Sequence, residues 1–386
     1  MCNTTFLEGT ATQTWGGHAS PRCSEELLQR YRTLIAEQRL NWTEHLRLTK
    51  LLGSGGQGKV FLTERRGTDG FTLPVAVKVF SPERYDTEHA YDEAMGRMAC
   101  IAARVATIQQ DNLLDVHNWV ERSRIRMMEM EWVDGHDLAR LLTRPMLDQL
   151  RQRVGAARWQ YVNEVIVTAG PMQPRVKPGV AIAIVRDCLA ALAALHRNGI
   201  VHGDMKPSNI MLKRTGNAKI VDIGSAFDVG DAPLRRACTP PYAAPEVLEG
   251  LECTPRSDLA SLGYVLVEML SGVPLCAGIT YLPDLLEAKR FLAPRLPKIL
   301  TEEVVSNDLL MSFCRGLVAP DPTRRFPSAE AADLLKEGAA AFHRQLVKGD
   351  LASEYDNELR LGRAAAHCGP RRPSPRTSRR AWSSGG

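Results

Sequence analysis

Apolar residues repeat with two different periods along this chain, and the changes of period mark its elements. A twofold alternation begins at His45, with Leu46 and Leu48 apolar, and runs into Leu51-Leu52 and the cluster Gly53-Ser54-Gly55-Gly56-Gln57-Gly58 before Lys59-Val60. Pro74 to Phe80 alternates again, which places Ala76 and Lys78 on one strand face and Val75, Val77 and Val79 on the other. Thr87 to Ile108 then has the spacing of a long helix carrying Glu88 and Glu93, and Arg124 to Val133 reads as an apolar strand that closes on Asp134-Gly135. From Leu138 onward helical spacing dominates. Ala181 to Arg197 predicts a helix stopped by the cap pair Asn198-Gly199. Asn209 to Leu212 and Ala218 to Val221 predict two short strands. Leu259, Leu262, Leu266, Met269 and Leu270 predict a buried helix that starts near Pro255 and ends at Ser271-Gly272. A last helix is expected from about Ser328 to His343. Strand patterns gathered mostly before Val133, with helical spacing dominating after it, suit an α+β protein.

The flanks read differently. Residues 1–23 are polar and small, and are expected to be mobile. Ser24 is a candidate N-cap for a helix with Glu25 and Glu26 in its first turn and Leu27, Leu28, Tyr31, Leu34 and Ile35 on one face. That face is expected to pack on the body. Arg144 to Gly179, with Pro171, Pro174 and Pro178 near its end, reads as an insertion with a little structure of its own. After Arg363 the chain is rich in Arg, Pro, Ser and Gly and is expected to be disordered.

Composition narrows the class. The net charge of +5 is misleading, because six arginines follow residue 360 and leave the rest of the chain near neutral, so no nucleic-acid footprint is expected. Nine cysteines without a Cys-x-x-Cys pair argue against a disulfide framework or a zinc site and for a reducing, cytoplasmic compartment. The most apolar run, Val180 to Leu195, is interrupted by Arg186 and Asp187, so no membrane span is expected.

Candidate chemistry concentrates in Val201-His202-Gly203-Asp204-Met205-Lys206-Pro207-Ser208-Asn209, a loop between a helix and a strand. The offsets suit phosphoryl transfer, with Asp204 to accept a hydroxyl proton, Lys206 to hold phosphate charge and Asn209 to hold a metal; a plain solvated loop is the alternative. The Gly-x-Gly-x-x-Gly cluster sits between two strand patterns, which disfavours a dinucleotide fold; glycines in a hairpin let backbone amides approach phosphate. Lys78, within so apolar a strand, needs an anionic partner such as a nucleotide phosphate, unless it snorkels from an edge.

Further blocks follow: Val221-Asp222-Ile223-Gly224, Thr239-Pro240-Pro241-Tyr242-Ala243-Ala244-Pro245-Glu246, Ser257-Asp258-Leu259 and Asp321-Pro322-Thr323-Arg324-Arg325-Phe326. In this order and spacing, from about Leu46 to His343, the chain resembles the eukaryotic-like (Hanks-type) Ser/Thr protein kinases of bacteria. The resemblance implies a bilobal protein kinase fold, with an antiparallel sheet and one helix at about 46–130, an insertion at about 144–179 and a mainly helical lobe at about 180–343. Residues 1–45 and 344–386 are then extensions. It implies ATP and Mg2+ as cofactors. Gly53, Ser54, Gly55, Gly56, Gln57 and Gly58 would cover the phosphates, and Leu52, Val60, Ala76 and Met211 would enclose the adenine beside Met130, with the backbone of Glu131 and Val133 at its edge. Lys78 would hold the α- and β-phosphates, Asp204 would be the base, Lys206 the γ-phosphate contact, and Asn209 and Asp222 the metal ligands. Thr239 resembles the threonine that packs on the catalytic loop, Glu246 and Arg324 a structural ion pair, and Asp258 the acid bracing that loop.

Three positions depart from the pattern. Gly203 stands where the family has arginine, and Ile223 where it has phenylalanine. The helix glutamate expected to pair with Lys78 is missing from its place, because counting back nine residues from Gln110 lands on Ile101; Glu93, about two turns earlier, is taken as the substitute over Glu88. The reading is a Ser/Thr protein kinase acting on protein hydroxyls. A small-molecule phosphotransferase, which often carries His-Gly-Asp, and a pseudokinase scaffold are the rivals. No serine, threonine or tyrosine lies between Ala226 and Cys238, and Gly203 removes the charge a loop phosphate would neutralise, so independence from activation-loop phosphorylation is expected. Asp228 or Asp231 is expected to pair with Arg235 or Arg236, and Ser374, Thr377 and Ser378 in the tail are candidate autophosphorylation sites.

Overall fold

A computed structural model describes residues 13–15, 24–37, 39–40, 46–67, 69–231 and 236–348. The tail after Arg363, with its expected disorder and candidate phosphorylation sites, lies outside these residues, as does Arg235. The alternating segments form one antiparallel five-stranded sheet, in the order Lys50–Gly55, Gly58–Arg66, Thr72–Phe80, Ile125–Glu131, Val116–Arg122. Its middle strand is buried on both faces from Val75 to Phe80, Lys78 included, so the lysine is no edge residue. The helix Glu88–Val105 starts at Thr87, whose hydroxyl accepts the Ala90 N–H at 3.1 Å. It is fastened to the sheet through Tyr91, fully buried, whose hydroxyl donates to the Phe80 carbonyl at 3.3 Å and accepts the Arg126 N–H at 2.9 Å.

The N-terminal helix Glu25–Glu37 packs on this lobe through Leu27, Tyr31 and Leu34, as its apolar face requires. Residues expected to be mobile include one ordered stretch: Gln13–Trp15 pairs antiparallel with Arg236–Cys238, with Gln13 opposite Cys238. A backbone edge in the loop before Thr239 offers hydrogen bonds that the Gln13–Trp15 backbone takes up.

The second lobe is built on two apolar helices in contact, Pro178–Arg197 and Pro255–Ser271. Pro178–Arg197 is long and apolar enough to cross a membrane; here its apolar side chains are buried against Pro255–Ser271, Ala329–Leu334 and Ala339–Lys348. Pro255–Ser271 is capped at both ends, with Ser257 Oγ accepting the Thr254 N–H at 3.0 Å and Gly272 in the left-handed conformation at φ 68°. The single last helix expected from Ser328 to His343 is two helices, Ala329–Leu334 and Ala339–Lys348, broken at Gly338. A Cβ at Gly338 would come within 2.6 Å of the Ala332 and Asp333 carbonyls, so the chain turns there where a helix-period pattern alone showed no stop.

The insertion forms helices Arg144–Arg153 and Ala156–Tyr161, a π turn Val162–Ile166 and a two-stranded ladder of Val167–Thr168 with Arg175–Val176. It docks on the end of Pro255–Ser271, where the Met172 and Gln173 N–H groups both donate to the Gly272 carbonyl.

Candidate active site

The catalytic-loop residues arrive between two short pairings. Ile200–Val201 pairs with Phe227–Asp228, and Ile210–Lys213 pairs with both Ala218–Ile220 and Gly135–Asp137. Asp258, at the start of its helix, accepts the His202 and Gly203 N–H groups on its two oxygens, each at 2.9 Å, and holds His196 Nε2 at 2.9 Å. Burial alone would raise the Asp258 pKa, but the His196 contact and the Gly203 N–H bring it below the ordinary value. Gly203 itself has φ 75°, and a Cβ there would stand 2.9 Å from the Ser225 carbonyl. Glycine at this place is therefore a backbone requirement of this loop.

Asp204 is held on both oxygens. Thr239 Oγ1 donates to Oδ1 at 2.7 Å and Lys206 Nζ lies 2.9 Å from Oδ2; Lys206 also donates to Thr239 Oγ1 at 2.8 Å. Asn209 Nδ2 donates to the Asp204 carbonyl at 2.8 Å, and a carbonyl only accepts, so the Asn209 amide oxygen is the atom left for another partner. The Asn209 carbonyl accepts the Val221 N–H at 2.8 Å, which brings the Asp222 backbone alongside. Asp222 sits in the left-handed region at φ 70°, uncommon for a residue with a side chain, and its carboxylate is about a third exposed (34%). Burial works against its charge, but the Lys78 ammonium, the Gly224 N–H and Lys206 hold its pKa down to about 2. An ionised carboxylate and an amide oxygen form a hard oxygen donor set, which fits Mg2+; among the described residues no cluster of three or more His, Cys, Asp or Glu competes for a metal.

The residues expected at the nucleotide lie on the sheet side, except Met211 on the Ile210–Lys213 strand. Gly53, Ser54 and Gly55 face Val60, Lys59 and Gly58 across the hairpin, with Gly56 and Gln57 at its turn. A Cβ at Gly53 or Gly55 would meet nothing within 4 Å, so no protein atom requires glycine there, which suits a cradle for a phosphate. Gly58 is different: at φ 140° its Cβ would lie 2.0 Å from the Val79 carbonyl. Ala76, Met130 and Val133 are buried, Val60 and Met211 are partly buried against the core, and Leu52 is exposed. Glu131 continues the Met130 strand, and its carboxylate is taken by Lys219 and the Asp115 N–H.

The expected pair between Lys78 and Glu93 is not formed. Glu93 is exposed and bonded to Arg97 at 2.6 Å, one turn along its own helix. Lys78 Nζ instead meets Asp222 Oδ1 at 2.5 Å and Gln57 Oε1 at 2.7 Å. Ile101 is buried and, with Gln57 and Gly224, lines a cavity of about 650 Å3 between the helix and the loop. One further pairing differs from expectation. Glu246 is paired bidentately with Arg325, at 2.6 and 2.8 Å, and not with Arg324. Asp228 is joined to Arg104 on the helix, while Arg235 and the Arg236 side chain, its expected partners, lie outside the described residues.

Some contacts had no counterpart in the sequence reading. Tyr242 donates to Glu268 at 2.7 Å, Gln173 of the insertion donates to the other oxygen at 2.9 Å, and Lys289 donates to the Pro241 carbonyl at 2.7 Å. The empty place of the helix glutamate was the one signal for an altered Lys78 environment.

This two-lobed architecture with a glycine hairpin, a buried lysine and an Asp-Lys-Asn loop in the cleft defines a protein kinase fold. The protein kinase domain family matches residues 46–336, and the chain belongs to that family. It is similar to the serine/threonine-protein kinase PknD of Mycobacterium tuberculosis, 32% identical over 88% of this chain and 47% of the relative. It is also similar to PknH of Mycobacterium bovis, 32% identical over 59% of this chain and 33% of the relative, and to PknL of Mycobacterium tuberculosis, 30% identical over 57% and 48%. The chain thus spans half or less of the length of these relatives, and its kinship is with bacterial Hanks-type Ser/Thr kinases.

Proposed function

We propose that this chain transfers the γ-phosphate of Mg-ATP to serine and threonine hydroxyls of proteins. The observation that carries this reading is Asp204, whose two oxygens are aimed by Thr239 and Lys206. A carboxylate so oriented accepts the proton of an incoming hydroxyl, while Lys206 offsets the charge that gathers beside it. Asn209 and Asp222 would hold Mg2+, which when bound neutralises phosphate charge. The names of the relatives support the hydroxyl class.

The segment from Thr239 to Glu246 favours a peptide over a small substrate. It is pinned by Thr239 to the loop, by Lys289 and Tyr242 to two helices and by Glu246 to Arg325, a rigid shelf with no use for a small alcohol. A scaffold without activity would have no chemical need for Lys78, Asp204, Asn209 and Asp222 together. Activity independent of activation-loop phosphorylation is supported by Gly203 and by the Arg104–Asp228 contact, which ties the loop without phosphate. We place the domain in the cytoplasm, a reading supported by cysteine spacing that forms no Cys-x-x-Cys pair. Phosphorylation of its own tail is part of the same reading.

The test is protein made with a phosphatase present, then assayed with labelled Mg-ATP and a generic basic protein. Linear transfer from the first seconds is expected. Asp204→Asn should lower turnover by several orders of magnitude with nucleotide affinity nearly intact, because the base acts in the transition state. Transfer to an aminoglycoside or small alcohol but to no protein would overturn the substrate class. A lag that tracks phosphate on residues 225–242 would overturn the independence.

A further inference from the structure

We infer that Gln57, at the turn of the glycine hairpin, is the positioning residue for Lys78 in place of a helix carboxylate. This deepens the kinase reading and rests on it for its catalytic consequence, though not for the contact itself.

Every acid of the Glu88–Val105 helix is committed away from Lys78. Glu88 is held by Ser24 and Arg124, Asp92 by Arg124 and Arg126, and Glu93 by Arg97. The position expected to supply the carboxylate is Ile101. Contact between the helix and the loop is carried instead from its C-terminal end by Arg104 through Asp228, and the same arginine donates to the Asn198 carbonyl at the end of Pro178–Arg197.

Gln57 has what the helix lacks. A residue at a hairpin turn is ordinarily exposed, yet Gln57 is only 9% exposed and its side chain is folded beneath the hairpin. Lysine can only donate, so the atom 2.7 Å from Nζ is the amide oxygen; the amide nitrogen then donates to Ser225 Oγ at 2.8 Å. Both ends of the amide are thereby used, as a buried polar group requires. The space is built for it: a Cβ on Gly224 would stand 1.8 Å from Gln57 Oε1 and 2.6 Å from Lys78 Nζ. Asp222 is the other partner of Lys78, and it is also the carboxylate assigned to the metal. Once Asp222 turns to a cation, Gln57 remains to hold the ammonium in place. The consequence is mechanical. Lys78 takes its orientation from the hairpin that closes over the phosphates, so hairpin closure and lysine placement become one event.

The test compares wild type, Gln57→Leu, Gln57→Glu and Ser225→Ala as full chains. In the nucleotide-free protein, the rate at which an amine-acylating ester modifies Lys78 is read by mass spectrometry. Loss of a hydrogen bond to a charged group should speed acylation in Gln57→Leu by about 10-fold or more, and less in Ser225→Ala. Gln57→Glu, which keeps an oxygen in place, should be no faster than wild type. With Mg-ATP, Gln57→Leu should raise KM for ATP by a similar factor, and Gln57→Glu, which keeps an oxygen on the ammonium, should raise it less. Acylation of both Gln57→Leu and Ser225→Ala within twofold of wild type would overturn the inference. So would a Gln57→Glu as impaired as Gln57→Leu. Should wild type transfer no phosphate, the kinase reading falls while the acylation arm still decides the contact.

Discussion

The two walls of the cleft solve the same electrostatic problem in opposite ways. On the helical side, buried charges sit in closed networks fixed to backbone. Arg325 gives Glu246 two bonds and also donates to the Ala319, Arg256 and Pro320 carbonyls, while Ser257 adds a bond to Glu246. Asp258 likewise receives two backbone N–H groups. On the sheet side, Lys78 rests on an amide from a hairpin and on a carboxylate with a second use. The helix above it reaches the loop through Arg104 and Asp228, both substantially exposed. The helical wall is therefore tied to backbone carbonyls and amides, and the sheet wall is joined to the loop mainly side chain to side chain.

Three measurements would break or sharpen this contrast. Arg325→Ala leaves Glu246 buried without its counter-charge, and should lower unfolding stability by about 3–5 kcal/mol in urea titrations. A loss under about 1 kcal/mol would mean that the helical wall does not depend on these ties.

Lys289 is the second case. It is buried beneath the Thr239–Glu246 segment, with Nζ 3.8 Å from the Tyr264 ring centroid and bonded to a neutral carbonyl. Burial lowers its pKa from 10.5 to about 8, against the opposing pull of Cys276, Cys238 and Glu246. A depressed lysine binds its proton less tightly in the folded state, so between these two values the unfolded chain carries more protons and stability rises with pH. Below about 8 both states are protonated and the desolvation cost is present in full. Relative to Lys289→Met, wild type should thus gain up to about 3 kcal/mol as pH rises through that window. Parallel pH profiles for the two proteins would place the lysine in solvent.

Arg104→Ala, on the sheet side, should cost less than about 1 kcal/mol of stability, since exposed pairs are screened. It should still raise hydrogen exchange at the amides of Phe227 to Gly230, whose tether to the helix is gone. Unchanged exchange there would mean that the Ile200–Val201 ladder alone holds the loop.

Much of the fold was legible because its signals are local. The glycine hairpin, the Thr87 and Pro255 helix starts, the Asn198-Gly199 and Gly272 stops and the offsets of Asp204, Lys206 and Asn209 all lie within a few residues of the groups they act on. The resemblance then carried the order of the lobes. What the sequence could not decide was partner choice. Glu246 took Arg325 over the adjacent Arg324, a difference of one residue in a tight turn that no periodicity resolves. Lys78 took Gln57 and Asp222, which lie 21 and 144 residues away, and Asp228 took Arg104, 124 residues away. Local spacing limits which residues share a face, but an ion pair forms only where separate elements bring two side chains within bonding distance. That proximity is a property of the packed lobes, and only the tertiary structure settled it.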